Sequence, residues 1–184
     1  MIYVHLADGF EEIEAMTIVD LLRRAELDTQ TVSMNGKKRV VGTHGVPMEA
    51  DILFEETDYE SCEMIVLPGG MPGASNLGSH EGLTKHIRCF AENDKYLAAI
   101  CAAPMVFAAQ GVLDGKQAVI YPGMEDHLTK AKALPRTENV IADGKIVTSK
   151  GPATAMPFAL KLVELLKGAA AAEELAADLL WNQK

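Results

Sequence analysis

The chain has 184 residues, a formal net charge of -9 and a pI near 5.0. That length fits one domain with one sizeable core, and the acidic balance without a basic cluster argues against nucleic acid or an anionic membrane surface as partner. No apolar run reaches the length of a membrane span, and the chain enters its first strand at Ile2 with no basic region ahead of it, so residence in the cytoplasm is expected.

Ile2 to Ala7 is a mostly apolar run closed by Asp8-Gly9, the pattern of a buried strand and its turn. The helix that follows, Glu12 to Ala25, places Ala15, Ile18, Val19, Leu21, Leu22 and Ala25 on one face, with Asp20, Arg23 and Arg24 opposite. Glu14 falls inside the apolar arc. A carboxyl group there is either desolvated, with its pKa raised, which makes it a site candidate, or it reaches water from a frayed first turn. In the second case Glu11 and Glu12 simply complement the helix dipole. Ile13 and Met16 lie off the core face, as a partner surface or as ordinary exposed apolar residues.

Thr29 to Met34 alternates as a second strand, Asn35-Gly36 is a turn, and Arg39 to Val41 and Val46 to Ala50 form a small β excursion around His44. Met64 to Leu67 is another buried strand. It runs into Pro68-Gly69-Gly70-Met71-Pro72-Gly73, glycine-rich enough to let backbone approach a ligand and present N–H groups to an oxyanion; a tight turn without a ligand is the other reading. Glu81 to Asn93 reads as a helix, with His80 and His86 as surface residues.

Tyr96 to Ile100 is uncharged and reads as a buried strand, and Pro104 suits the first turn of a helix that continues through Gln110 and closes at Gly111. Cys101 therefore sits on a strand-to-helix elbow, where unpaired N–H groups and the helix dipole lower a thiol pKa. It is either a nucleophile or redox centre, or a small buried hydrophobe ending a strand. The other cysteines, Cys62 and Cys89, are read as structural, and no Cys-x-x-Cys spacing suggests a disulfide framework or a zinc site.

Ala118 to Tyr121 reads as a short strand facing the same rim, and Val140 to Ser149 as a hairpin around Asp143-Gly144. Ser149 to Thr154 starts a helix running to Lys167, and Glu173 to Trp181 forms a last helix whose Leu175, Leu179 and Leu180 cover the core. Apolar strands separated by helices define a single α/β domain over 1–184, a mainly parallel sheet with helices on both faces and ligands beyond the C-terminal strand ends. Asp8-Gly9, Gly69-Gly70 and Cys101 each follow such a strand, so three candidates converge on one edge.

Gly9-Phe-Glu-Glu-Ile-Glu14, Val66-Leu-Pro-Gly-Gly70, Ala98-Ala-Ile-Cys-Ala-Ala-Pro104 and Thr148-Ser-Lys-Gly-Pro152 occur in this order over nearly the whole chain. In order and spacing they resemble the motifs of the ThiJ/PfpI superfamily, in the branch of the parkinsonism-associated protein deglycase and its bacterial relatives. The resemblance implies a flavodoxin-like three-layer sandwich, a class I glutamine-amidotransferase-like domain, and usually a homodimer. It implies Cys101 as the nucleophilic and oxidisable cysteine, Glu14 as the carboxyl group hydrogen-bonded to it, and Gly70 and Ala102 as suppliers of the oxyanion N–H groups. No metal or organic cofactor is implied.

The deglycase of that branch carries a histidine where this chain has Tyr121, and a tyrosine is a poor base near neutral pH. His127 is a candidate replacement or a solvated helix histidine, and His44, where relatives carry a pocket arginine, is a second candidate. Ala102 stands where peptidase members place a histidine, so proteolysis is disfavoured. Two functions follow from the resemblance. One is a glyoxalase- or deglycase-type enzyme in which Cys101 attacks a small aldehyde, such as methylglyoxal, or a glycated adduct. The other is a non-enzymatic oxidative-stress sensor or redox-regulated chaperone in which oxidation of Cys101 is the signal. No Gly-x-x-x-x-Gly-Lys loop supports nucleotide or phosphoryl chemistry.

Overall fold

The structure, a computed structural model, describes residues 1–181. From the N-terminus, β1 (Ile2–Leu6), α1 (Glu12–Arg24) and β2 (Thr29–Ser33) form a β-α-β unit, and a hairpin of β3 (Arg39–Val41) and β4 (Pro47–Glu49) leads to the short β5 (Ile52–Leu53). β6 (Met64–Leu67), α2 (Gly73–Ser79), α3 (Glu81–Glu92), β7 (Tyr96–Ile100) and α4 (Pro104–Ala109) follow. The C-terminal part holds β8 (Gln117–Ala118), α5 (Glu125–Lys130), β9 (Leu134–Pro135), β10 (Val140–Asp143), β11 (Ile146–Ser149), α6 (Ala155–Lys167) and α7 (Ala169–Asp178).

The main sheet has seven strands in the order β10-β11-β7-β6-β1-β2-β5, parallel except for β10, which pairs antiparallel with β11. Its central strands are uninterrupted apolar runs because both faces are covered. Helices α1, α6 and α7 pack together as one group, and α2, α3, α4 and α5 as another. Pairing of Ile2 with Met64, and of Met64 with Tyr96, starts β1, β6 and β7 level with one another. The three strands therefore also end level, and the chain leaves that edge through Ala7–Glu11, Pro68–Pro72 and Cys101–Ala103.

On α1 the apolar face is buried as its spacing requires. Ile18 and Leu22 have no exposed surface, and each such side chain contributes about 1.5–3 kcal/mol through burial. Glu14 shares that face and is also fully buried. The frayed-turn reading fails because the Glu11 carboxylate caps the helix, accepting the Glu14 N–H at 2.8 Å.

Several elements differ from the sequence expectations. Helix α2 lies in a Gly-Ala-Ser-Asn stretch of poor helix propensity, and packing of the buried Ala74 and Leu77 makes it helical. The strand expected over Ala118–Tyr121 is only Gln117–Ala118, paired with β9 in a separate two-stranded sheet, while the Val119 N–H turns to the Thr148 hydroxyl at 3.0 Å. Helix α7 begins at Ala169 rather than Glu173, because Gly168, at φ 92°, ends α6 and is followed by four alanines, the strongest helix formers. Leu175 is buried as expected, but Leu180 is 63% exposed and lies past the helix end.

Candidate active site

The backbone of Cys101 has φ 63°, the left-handed region that a side chain disfavours by about 1–3 kcal/mol. Hydrogen bonds from both sides hold it there. Its N–H donates to the Ser149 carbonyl at 2.9 Å, and its carbonyl accepts the Tyr121 N–H at 2.8 Å. The turn is further closed by Ala103 N–H donating to Ile100 O at 3.0 Å. A strand-to-helix elbow of this kind lifts its nucleophile clear of the sheet. Nothing in the sequence marks a left-handed residue here, since neither glycine nor asparagine occupies the position; the small Ala102 and Ala103 are the one local signal.

Glu14 reaches the same point from α1. Its Oε2 accepts the Gly69 N–H at 2.8 Å, while Oε1 is buried with no hydrogen-bond partner. Gly69 is required by this contact, because a Cβ there would lie 2.5 Å from the Cys101 Cβ and 2.8 Å from Glu14 Oε2. Gly70, at φ 86°, is equally constrained: its Cβ would meet the Glu11 nitrogen and the Gly9 oxygen at 2.5 Å each. The glycine loop is thus wedged between the ends of β1 and β7.

Cys101 is only 7% exposed, and burial, followed by the charge of an ionised Glu14, pushes its thiol up to about 12. The Gly70 and Ala102 backbone N–H groups favour the thiolate and act in the opposite direction. This corrects the expectation of a thiol pKa lowered by the elbow: the local donors are present, but α4 has only six residues, so its dipole is small, and burial outweighs them. Burial likewise pushes Glu14 up to about 7, against the lowering effects of Gly69 and Cys101. The two groups titrate as a pair. With Glu14 protonated, the charge opposing the thiolate disappears.

The other candidate residues sort by position. Tyr121 is tied to Cys101 through its backbone, and its half-exposed ring rests near Gly151, where a Cβ would approach the ring at 3.3 Å. His127 is an exposed residue of α5 beside Met105, Ala108, Ala109, Lys130 and Ala131, in a hollow that does not include Cys101. His44 is not aimed at the sulfur either. Its Nδ1 lies 2.8 Å from Glu12 Oε2, and this hydrogen bond raises its pKa. Glu12 Oε1 accepts the His44 N–H at 2.7 Å, so Glu12 ties the β3–β4 hairpin to α1 rather than only serving the helix dipole. Glu11, Glu12 and His44 bring potential metal-ligand atoms within 4.8 Å of one another, but Glu12 is already spent on the hairpin.

His80 and His86 are not plain surface residues. His80 caps α3, its Nδ1 accepting the Leu83 N–H at 3.1 Å, and the His86 ring stacks on Tyr59 with centroids 3.7 Å apart. Both belong to a cluster organised by His5, which sequence reasoning missed because it sits inside an apolar strand. His5 Nδ1–H donates to Val66 O at 3.4 Å, and Nε2 accepts the Tyr59 hydroxyl at 2.7 Å. Cys62 is buried as expected, whereas Cys89 is exposed on α3 and has no packing role in the core.

A strained cysteine elbow, a buried carboxyl group and two convergent N–H groups at one sheet edge define a cysteine-centred α/β sandwich of the flavodoxin-like class. The chain belongs to the DJ-1/PfpI family, whose sequence profile matches residues 1–165. It is similar to Protein DJ-1 homolog B of Arabidopsis thaliana, 39% identical over 91% of this chain but only 38% of that protein, so the chain spans well under half of that relative's length. Similarity also extends to the glutathione-independent glyoxalase DJR-1.2 of Caenorhabditis elegans, 30% identical over 86% of this chain and 83% of that protein. Among solved structures, oxidized Toxoplasma gondii DJ-1 superposes with a TM-score of 0.92 at 38% identity, covering 97% of each chain. No helix among the described residues is long and apolar enough to cross a membrane.

Proposed function

We propose that this protein is a cofactor-free, glyoxalase- or deglycase-type enzyme in which Cys101 is the nucleophile and Glu14 the proton carrier. The observation that carries this reading is the meeting of Cys101, the buried Glu14 carboxyl group and the Gly69-Gly70 backbone at one point, where the Gly70 and Ala102 N–H groups favour a thiolate. The likeness to a relative named as a glutathione-independent glyoxalase supports it.

The chemistry balances with the groups at hand. The Cys101 thiolate adds to the aldehyde carbon of methylglyoxal, forming a C–S bond, and the two N–H groups stabilise the alkoxide until Glu14 gives it the Oε1 proton. Glu14, now a carboxylate, removes the proton from the former aldehyde carbon, and the electron pair passes to the neighbouring ketone through an enediol. Return of the proton to the second carbon, with the hydroxyl proton of the first carbon passing to the second oxygen, leaves a lactoyl thioester on Cys101. Water hydrolyses it to lactate and restores the thiolate. An aminocarbinol or hemithioacetal adduct enters the same sequence after it releases its amine or thiol and regenerates the free aldehyde. Neither Tyr121, a phenol, nor His127 or His44 is needed in this sequence.

Mass spectrometry of Cys101 after rapid mixing with methylglyoxal tests it: a transient adduct at Cys101 supports the sequence, and its absence in protein with a reduced thiol counts against it. A sensor role is the second reading, favoured by Tyr121 at the rim, because oxidation requires no base. Exposed Ile13 and Met16 on α1, with Val46 on the adjoining hairpin, form an apolar surface through which we infer that two copies pair.

A further inference from the structure

We infer that Glu11 is a positioning residue that shifts the proton shared by Glu14 and Cys101 toward Glu14 and so raises the share of thiolate at Cys101. Three hydrogen bonds close a ring between the first turn of α1 and the glycine loop. The Glu11 N–H donates to Gly69 O at 2.9 Å, the Gly69 N–H to Glu14 Oε2 at 2.8 Å, and the Glu14 N–H to Glu11 Oε2 at 2.8 Å. The ring fixes Glu14 Oε2 as an acceptor. The proton therefore belongs on Oε1, the buried oxygen without a partner.

Glu11 also brings charge. It is buried, and its carboxylate acts on Glu14 in the direction that favours the protonated form, adding to the larger effect of burial and opposing the hydrogen bonds from Gly69 and Cys101, each of which outweighs it. His44, the cation within reach of Glu11, is paired with Glu12 at 2.8 Å, so the charged groups gathered on this side of Glu14 are Glu11 and the Glu12–His44 pair, with Cys101 on the other. Once the Glu14–Cys101 pair has released one proton, the remaining one sits on sulfur or on Oε1. Two buried carboxylates joined by one turn of helix repel each other, which disfavours the first arrangement and raises the share of thiolate. The inference rests on Cys101 being the nucleophile proposed above, but it concerns the thiolate before any aldehyde binds.

The test is the rate of Cys101 alkylation by iodoacetamide at pH 7, read by mass spectrometry, in the wild type, Glu11→Gln, Glu14→Gln and the double variant. Glu11→Gln keeps an acceptor for the Glu14 N–H and removes the charge, so alkylation slows by about tenfold, the effect of about 1.4 kcal/mol on the proton's placement. In the Glu14→Gln background the same change leaves the rate unchanged or raises it, because no proton remains to be placed. Glu11→Asp and Glu11→Asn, equal in size and both good caps, repeat the contrast with charge alone altered. Equal slowing in both backgrounds would make Glu11 only a cap, and no slowing in either would mean that its charge is not felt; each result overturns the inference. Alkylation needs no turnover. An inactive protein that nonetheless shows this pattern would refute the glyoxalase reading and leave the role of Glu11 standing.

Discussion

Acidification should weaken this fold through one residue, His5. Buried without surface exposure, its imidazole is pulled from 6.5 down to about 3, first by burial and then by its neighbours His80 and His86, against the raising effect of Val66 O. The folded state therefore binds fewer protons at His5 than the unfolded chain does. The stability this confers is complete above 6.5 and is lost progressively as pH falls from there toward about 3. Between pH 7 and pH 5 the loss from His5 alone is about 2 kcal/mol, with a limiting slope of about 1.4 kcal/mol per pH unit for one proton. Urea unfolding followed by circular dichroism at the two pH values measures it. His5→Phe keeps an aromatic ring beside Tyr59 but leaves the Tyr59 hydroxyl unpaired, a pH-independent loss of about 1–3 kcal/mol. Other titrating groups contribute equally to both proteins, so the variant should lose about 2 kcal/mol less than the wild type over this interval. An equal loss in the two proteins would refute the reasoning.

Three further outcomes are expected. Gly69→Ala puts a Cβ 2.5 Å from that of Cys101, and should lower stability by about 1–3 kcal/mol in a thermal melt while disordering the sulfur enough to suppress its alkylation. Ile13→Asp combined with Met16→Lys should convert the proposed dimer into a folded monomer by light scattering; a dimer unchanged by both substitutions would place the interface elsewhere, and a monomeric wild type would refute the pairing. His127→Ala should leave methylglyoxal turnover intact, and a large loss would bring this exposed residue into the reaction.

Much of this organisation is legible in the chain because its signals are local. Apolar runs and the turns after them place β1, β6 and β7, and the 3.6-residue period alone puts Glu14 among buried residues on α1. What escapes the sequence is set by contacts distant in the chain. The left-handed backbone of Cys101 depends on Ser149 and Tyr121, and the capping role of Glu11 is coupled to its N–H bond with Gly69. His5 looks like an interruption of an apolar strand until Tyr59 and Val66 are brought to its two ring nitrogens. Exposure of Leu180 follows from where α7 ends, at Asp178, beyond which Leu180 takes a left-handed backbone.

The most direct test of the central claim is lactate formation from methylglyoxal by the reduced protein without added thiol, compared with Cys101→Ala and Glu14→Ala. Turnover is expected in the wild type, with its loss in Cys101→Ala and a fall of about a hundredfold or more in Glu14→Ala, the range for removing a proton-transfer group. Lactate produced at the wild-type rate by folded Cys101→Ala protein, or no lactate from the reduced wild type, would contradict the claim.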